Sequence, residues 1–221
     1  MSQTPVLWTF KSSPFAGKAR AAFAEKGVRV ELAEIHPVKR PQRFLDLTPM
    51  GRVPVLELGG GAPPIRESSI ICEWLEETHP EPALWPADAA LRGWARGQAK
   101  FLDDLLLGNF FLGMRKLAFG RSESDPEDVV ERLHRQLAKH WPALEEALSE
   151  RPGPWLCGEQ LTFADLSGLP LAVRLPEWGP HLVPDPAGYP LVTAWLGALR
   201  ARPSAATIDQ GAERVTDEPG T

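Results

Sequence analysis

The sequence changes its periodicity near residue 80, and this change constrains the fold more than any other feature. Before it, short strand-like runs alternate with one-sided helical runs, whereas after it the apolar residues recur at helical spacing. The two halves meet in the proline-rich segment HPEPALWPADAA, which has no period and predicts a linker. We therefore expect one domain over residues 1–80, an all-helical domain over residues 88–206 and a polar tail over residues 207–221.

The first half predicts an α/β unit with a small mixed sheet. The run VLWTF is typical of a strand, the helix after it ends at Gly27, and VRVELAEI alternates as a half-buried strand does. A third strand, VPVLEL, contains Pro54, which belongs at a sheet edge or a special turn. The predicted elements are strands at 6–10, 28–35, 53–58 and one ending near 67, and helices at 14–26, 41–47 and 68–78.

The second half predicts helices at about 88–118, 125–149, 162–175 and 190–201. The third of these begins with Thr162 and, three residues later, Asp165, a spacing typical of a capping box. Pro170 lies inside the same helix and predicts a kink or an early end, because proline removes a helical hydrogen bond.

Charge and composition narrow the class of protein. The net charge of −5 argues against a nucleic-acid partner, since such proteins carry a basic face. No apolar run is long enough to cross a membrane and the first residues do not resemble a signal peptide, so we expect a cytoplasmic protein. Cys72 and Cys157 are far apart and are expected to be core thiols, and the five histidines form no metal-binding motif.

Three short segments place polar groups where a ligand could bind. In KSSPF, either Ser12 or Ser13 caps a helix, or one hydroxyl faces an anion beside backbone N–H groups. The proline of RVPVL fits a simple edge strand, or a cis bond that turns the preceding backbone outward toward an extended peptide. The segment ESSII caps another helix, and its carboxylate, hydroxyl and N–H groups would also suit the α-amino acid end of a ligand.

These segments, read together with the rest of the chain, resemble a cytosolic glutathione transferase. The resemblance runs from about Val6 to Ala205 and rests on Ser-Pro at the first helix, TPMGRVPVLEL, ESSIICEWLEE, LTFADLSGLPLAVRL and YPLVTAWLGALRARPSA. It implies a thioredoxin-like N-terminal domain, an all-helical C-terminal domain, glutathione as the co-substrate and a homodimer. The serine places the chain among the serine-type members, with similarity to the zeta and omega classes.

The resemblance also implies roles for individual residues. Ser13 lies where serine-type classes keep the hydroxyl that activates the glutathione thiol, with Ser12 as the alternative and a cysteine at that place in omega-like members. Pro54 resembles the family's cis-proline, and the backbone before it pairs with the cysteinyl part of glutathione. The positions that resemble the glutathione-binding residues are Lys39 (with Arg40 as its alternative), Arg52, Val53, Pro54, Glu67 and Ser68.

A serine in this position would donate a hydrogen bond to the glutathione sulfur and lower the pKa of the thiol. The thiolate would then attack a small hydrophobic electrophile that rests against apolar side chains of the first long helix. The candidates for that wall, which are otherwise ordinary core residues, are Leu107, Phe110, Phe111 and Met114. Because no cysteine occupies the site, we expect transferase rather than thiol–disulfide chemistry.

Other functions stay open on this sequence. The paired serines are compatible with a zeta-like glutathione-dependent isomerase, although Pro14 replaces the cysteine of the zeta SSC run. A non-catalytic member that binds glutathione, or a regulatory or partner-binding role of the same fold, is a further alternative, because fold does not decide function.

Overall fold

The computed structural model describes residues 4–36, 38–105, 126–179 and 182–210. The chain divides into two compact units: Met1–Leu84 with Pro203–Thr221, and Trp85–Arg202. The boundary at residues 84 and 85 falls inside the proline-rich segment. The 3-10 helix Pro203–Asp209 belongs to the first unit, whereas the sequence-based division placed residues 203–206 in the helical domain and residues 207–209 in the polar tail.

The first unit contains a four-stranded mixed sheet with the order β2-β1-β3-β4. Its strands are β1 (Val6–Thr9), β2 (Glu31–Glu34), β3 (Val55–Glu57) and β4 (Ile65–Arg66). Strands β1 and β2 are parallel, whereas β3 is antiparallel to β1 and β4 is antiparallel to β3. The helices are α1 (Pro14–Glu25), α2 (Gln42–Leu47) and α3 (Ser68–Thr78), so the predicted β-α-β-α-β-β-α order is confirmed.

Apolar side chains of β1, β2, β3 and α2 form the core of one face of this sheet. The cluster consists of Trp8, Ala33, Ile35, Phe44 and Val55. The rings of Trp8 and Phe44 have centroids 5.7 Å apart, and the Trp8 indole N–H donates to Glu57 Oε2 at 2.9 Å. Strand β1 lies between β2 and β3 in the sheet. These contacts hold its end, and with it the start of the loop that follows.

The second unit is helical, as predicted. Its described helices are α4 (Ala89–Leu105), α5 (Pro126–Ala138), α6 (Trp141–Ser149), α7 (Phe163–Trp178) and α8 (Pro190–Arg200). The helix predicted over 125–149 is divided at residues 139–140, because Pro142 in the first turn of α6 has no N–H with which to continue α5. The part of the first predicted helix beyond Leu105 lies outside the described residues.

Helix α7 differs from its prediction at the C-terminal end. It passes through Pro170 and Pro176 and ends at Trp178, so the early end expected at Pro170 is not found. Most of its residues are buried, and packing along the helix offsets the hydrogen bond that Pro170 removes. Among the described residues, no helix is long and apolar enough to span a membrane.

The capping box at the start of α7 is confirmed and reaches further than the sequence indicates. Asp165 is fully buried and accepts hydrogen bonds from the N–H and hydroxyl of Thr162, the N–H of Leu156 and the indole N–H of Trp195. Burial raises the pKa of Asp165, and these four donors oppose that rise. One carboxylate thus joins α7, α8 and the segment before α7.

Candidate functional site

Ser13 joins the end of β1 to the start of α1. It is the N-cap residue of α1: its Oγ accepts from the N–H of Ala16 at 3.3 Å, and Pro14 follows at the first helical position. Its own N–H donates to the carbonyl of Phe10 at 2.9 Å. Ser13 is buried, whereas Ser12 is exposed. The capping role predicted for this segment therefore belongs to Ser13.

The cap leaves the Ser13 hydroxyl able to donate. The Ser13 oxygen uses one lone pair to accept from the N–H of Ala16, so its O–H group is still able to donate a hydrogen bond. Within the part of the chain that the structure describes, that proton has no acceptor. The hydroxyl lies beside the N–H groups of the first turn, where the helix dipole favours negative charge. Such an environment favours a negatively charged ligand atom.

The register of the sheet brings the three segments singled out in the sequence to one end of the sheet. Trp8 of β1 pairs with Val55 of β3, and Val55 pairs with Arg66 of β4. Because β3 is antiparallel to both neighbours, the residues after β1, before β3 and after β4 leave the sheet at the same end. Ser13, Val53–Pro54 and Glu67–Ser68 therefore share that end.

The segment before β3 has the backbone that the resemblance implies. The Val53–Pro54 peptide bond is cis. Val53 precedes the first register pair of β3, Pro54 is buried and Val53 is half-buried. Gly51 has a φ of 61°, a conformation that favours glycine, and a Cβ at that position would overlap the guanidinium of Arg40.

The basic residues of this region differ in their surroundings. Arg40 and Lys39 are both exposed, but the guanidinium of Arg40 lies against Gly51, two residues before Val53, whereas the backbone N–H of Lys39 donates to His36 Nδ1 at 2.9 Å. Arg52 is also exposed. Of the two alternatives for the glycyl carboxylate, Arg40 is thus the one with a described contact to the cis-proline segment.

Glu67 and Ser68 begin α3 in an unusual conformation. Glu67 is the N-cap residue with a φ of 70°, the one non-glycine residue in the described segments with a positive φ. A sparsely populated conformation of this kind costs a residue with a Cβ about 1–3 kcal/mol, and such residues occur preferentially at ligand-binding and active sites. Ser68 is buried at the first helical position, and the exposed carboxylate of Glu67 lies beside it.

The N-termini of α1 and α3 are held together by a buried lysine. Lys18 of α1 is 2% exposed, and its ammonium donates to Ser69 Oγ in the first turn of α3 at 2.9 Å. The sequence analysis missed this contact. A lysine between Gly17 and Ala19 is typical of the solvated face of a helix. Lys18 is buried only because α1 packs against α3.

The remaining predicted residues stand as follows. Leu107, Phe110, Phe111 and Met114 lie outside the described residues. Cys72 and Cys157 are free thiols; Cys72 is buried, as expected of a core thiol, whereas Cys157 is only half-buried. Partial burial together with the charge of Asp165 raises the pKa of Cys157 to about 11. Among the described residues, no His, Cys, Asp and Glu side chains cluster in a way that could hold a metal ion.

Comparisons with known proteins agree with this geometry. Residues 7–83 match the family model "Glutathione S-transferase, N-terminal domain" and residues 109–203 match "Glutathione S-transferase, C-terminal domain". A glutathione S-transferase omega-1 of Rattus norvegicus is 27% identical over 91% of this chain and 78% of its own. A probable maleylacetoacetate isomerase of Caenorhabditis elegans is 30% identical over 84% and 85%. The structure of a bacterial maleyl pyruvate isomerase of the zeta class is 26% identical over 92% and 95%, with a TM-score of 0.72.

Proposed function

Because the chain belongs to the glutathione transferase superfamily, we propose that it binds glutathione at the Ser13 end of the sheet and transfers it to a small hydrophobic electrophile. The observation that carries this proposal is the position of the Ser13 hydroxyl at the N-terminus of α1, beside the cis-proline segment and Glu67–Ser68. These are the groups that a γ-glutamyl peptide with a reactive thiol requires.

Each part of glutathione has a matching group in the proposed site. The backbone of Val53 is proposed to pair with the cysteinyl residue, as an added strand would. Ser68 and the first N–H groups of α3 suit the γ-glutamyl carboxylate, and Glu67 suits its ammonium. For the glycyl carboxylate we propose Arg40 or Lys39, and the contact of Arg40 with Gly51 supports Arg40.

In the proposed reaction, the Ser13 hydroxyl donates a hydrogen bond to the sulfur of glutathione, and the thiol proton is released to solvent. An ordinary thiol has a pKa near 8.5 and is only a few per cent ionised at neutral pH. A decrease of about two pKa units corresponds to roughly 2.7 kcal/mol and makes the thiolate the main form. Ser13 is not the nucleophile: the thiolate sulfur forms the new bond to the electrophile, and the leaving group departs with its electron pair.

Replacing Ser13 with alanine tests the role of the hydroxyl. In S13A we expect the pKa of the bound thiol to return toward 8.5, so that the thiolate fraction at pH 7 falls by about 20-fold. Glutathione affinity, which depends on other residues, should change much less. The readouts are the pH dependence of thiolate ultraviolet absorbance and calorimetric titration of glutathione. S12A is the matched control, because Ser12 is the exposed neighbour.

Three outcomes separate the alternatives. An unchanged thiol pKa in S13A with a large change in S12A would transfer the role to Ser12. Glutathione binding without a lowered thiol pKa in the wild-type protein would favour a non-catalytic, glutathione-binding member of the family. No binding at millimolar glutathione would refute the proposal. S13A also removes a helix cap worth about 1 kcal/mol, so thermal unfolding should be measured alongside.

A glutathione-dependent isomerase is the second candidate, favoured by the relatives named maleylacetoacetate isomerase and by the zeta-class structure. Such an enzyme would add the thiolate to a cis alkene and release it again after rotation, so glutathione would be regenerated. A transferase consumes one glutathione for each product. The disappearance of free thiol with a maleyl substrate and with aryl or alkyl halides therefore distinguishes the two reactions.

Two further features of the proposal concern partners. We propose a homodimer, and the exposed apolar side chains of Met50 (66%) and Ile70 (54%) in the first unit are our candidates for its contact. Sedimentation of the wild-type protein and of I70K tests it, with a monomer expected only for the variant. The electrophile wall at Leu107, Phe110, Phe111 and Met114 and the cytoplasmic location remain predictions.

A further inference from the structure

Arg20 is a buried cation in the middle of α1, with 2% of its surface exposed. Its guanidinium donates to Thr9 Oγ1 at the end of β1 and to the carbonyl of Lys11 at 3.1 Å in the loop that follows. On its other side it donates to the carbonyls of Thr207 at 2.7 Å and Ile208 at 2.6 Å. One side chain therefore joins three separate parts of the first unit.

The end of β1 and the loop after it lead to Ser13, the residue proposed to activate the thiol. The carbonyl of Lys11 is held two residues before Ser13, and Thr9, four residues before it, is fully buried. The N–H of Ser13 is in turn bound to the carbonyl of Phe10. The position of the Ser13 hydroxyl thus depends on a short loop whose carbonyl and preceding strand end are held by Arg20.

The second part is the 3-10 helix Pro203–Asp209, which packs along α1 at two further points. Ile208 lies against Gly17, where an added Cβ would be 3.1 Å from Ile208 Cδ1. The hydroxyl of Ser204 donates to Glu25 Oε1 at 2.6 Å. Because Arg20 binds the backbone carbonyls of this segment, the guanidinium is fully coordinated only when the 3-10 helix is docked.

We propose that Arg20 is a positioning residue for Ser13, and that docking of the 3-10 helix Pro203–Asp209 completes the geometry for thiol activation. The guanidinium suits this task because its donors lie in a rigid planar fork that can join two sides at once. A displacement of about 1 Å at a reacting group can cost two orders of magnitude in rate. The inference rests on the proposed function, since it assumes that Ser13 is the thiol activator.

The test uses the full chain with R20Q, R20K and T9V, and with R29Q as a matched control at an exposed arginine of the same unit. The first readout is amide hydrogen exchange at Ser13 and at residues 204–210. In R20Q we expect both to exchange at least about tenfold faster, because one side chain protects both segments. R20K should recover part of the protection, and R29Q should match the wild-type protein.

The second readout is the thiol of bound glutathione. In R20Q we expect its pKa to rise by about one unit, equivalent to a tenfold loss of thiolate at a pH below that pKa. The dissociation constant of glutathione should change by less than about threefold, because Val53, Glu67 and Ser68 are not attached to Arg20. A purely structural role of Arg20 would lower thermal stability without this split between pKa and affinity.

The outcomes are separable from those of the proposed function. Unchanged exchange at Ser13 in folded R20Q and T9V would overturn the positioning role. Faster exchange with an unchanged thiol pKa would overturn its link to activation. If R20Q does not fold, T9V decides, since it removes a single acceptor and keeps the shape of the side chain. If the wild-type protein binds no glutathione, the proposed function fails, and hydrogen exchange alone decides whether Arg20 positions Ser13.

Discussion

Replacing Asp165 with asparagine should destabilise the second unit more than any conservative surface change. Oδ1 of Asp165 accepts from the N–H of Leu156 and the indole N–H of Trp195, both at 2.9 Å. Oδ2 accepts from the N–H and the hydroxyl of Thr162, both at 2.8 Å. In D165N one of these oxygens becomes an NH₂ group, which cannot accept, so one pair of buried donors loses its acceptor.

The magnitude follows from these contacts. A buried donor left without an acceptor costs about 1–3 kcal/mol, so two donors cost about 2–6 kcal/mol. Asparagine also removes the cost of burying a charge, so we expect the lower half of that range. Burial raises the folded-state pKa of Asp165, so the native protein binds more protons than the unfolded chain between the ordinary pKa and the raised one. This contribution to stability falls as pH rises through that window, and it is absent in D165N.

Urea unfolding measures this loss of stability, which is calculated from the midpoint and the m-value of the transition. The matched control is D104N, which removes an exposed carboxylate that pairs with Lys100 and should cost less than about 1 kcal/mol. W195F removes one of the four donors and should cost about 1 kcal/mol beyond the loss of ring packing. A loss below 1 kcal/mol in D165N would refute the reasoning, because it would mean that the four hydrogen bonds do not stabilise the unit.

Three further predictions concern other buried or half-buried positions. Cys157, whose pKa is raised from 9.0 to about 11, should be alkylated at pH 7 about tenfold more slowly than the thiol of a short peptide, because it has about 100-fold less thiolate and that thiolate is more nucleophilic. The rate should keep rising with pH until the pH passes the raised pKa, and equal rates at pH 7 would contradict the raised pKa. G168A places a Cβ where the Trp195 ring lies, so we expect about 1–3 kcal/mol of destabilisation in thermal unfolding. K26M removes the buried ammonium that pairs with Glu76 and donates to the carbonyls of Pro80 and Pro82, and should cost about 2–3 kcal/mol in urea unfolding. An unchanged midpoint would exclude these contacts as stabilising.

Local patterns predicted most of the elements in the first unit. The alternation and apolar runs placed β1 and α3, and α3 begins and ends at the predicted residues. These elements were predictable because their periodicity coincides with burial on one face. In the second unit, the sequence analysis predicted one helix where the structure has two, divided at residues 139–140. Pro142 indicates such a break, but the apolar spacing continues across it.

The candidate site was predictable where it depends on short segments and not where it depends on distant contacts. Ser13 as a cap and the cis bond before Pro54 follow from residue type and family pattern. Arg20 and Lys18 have no such signal, because a cation in an alanine-rich helix is usually solvated. Their burial depends on segments far along the chain: the 3-10 helix for Arg20 and the first turn of α3 for Lys18.

The return of the 3-10 helix Pro203–Asp209 to the first unit has a consequence for biosynthesis. The carbonyls that complete the shell around Arg20 are made after the whole intervening segment Trp85–Arg202 has been translated. At about 5–20 residues per second, those residues take roughly 6–24 s to emerge in a bacterial or eukaryotic cell. During that interval the nascent first unit lacks the 3-10 helix that packs along α1. The contacts that hold the loop before Ser13 are therefore completed only after the whole second unit has been translated.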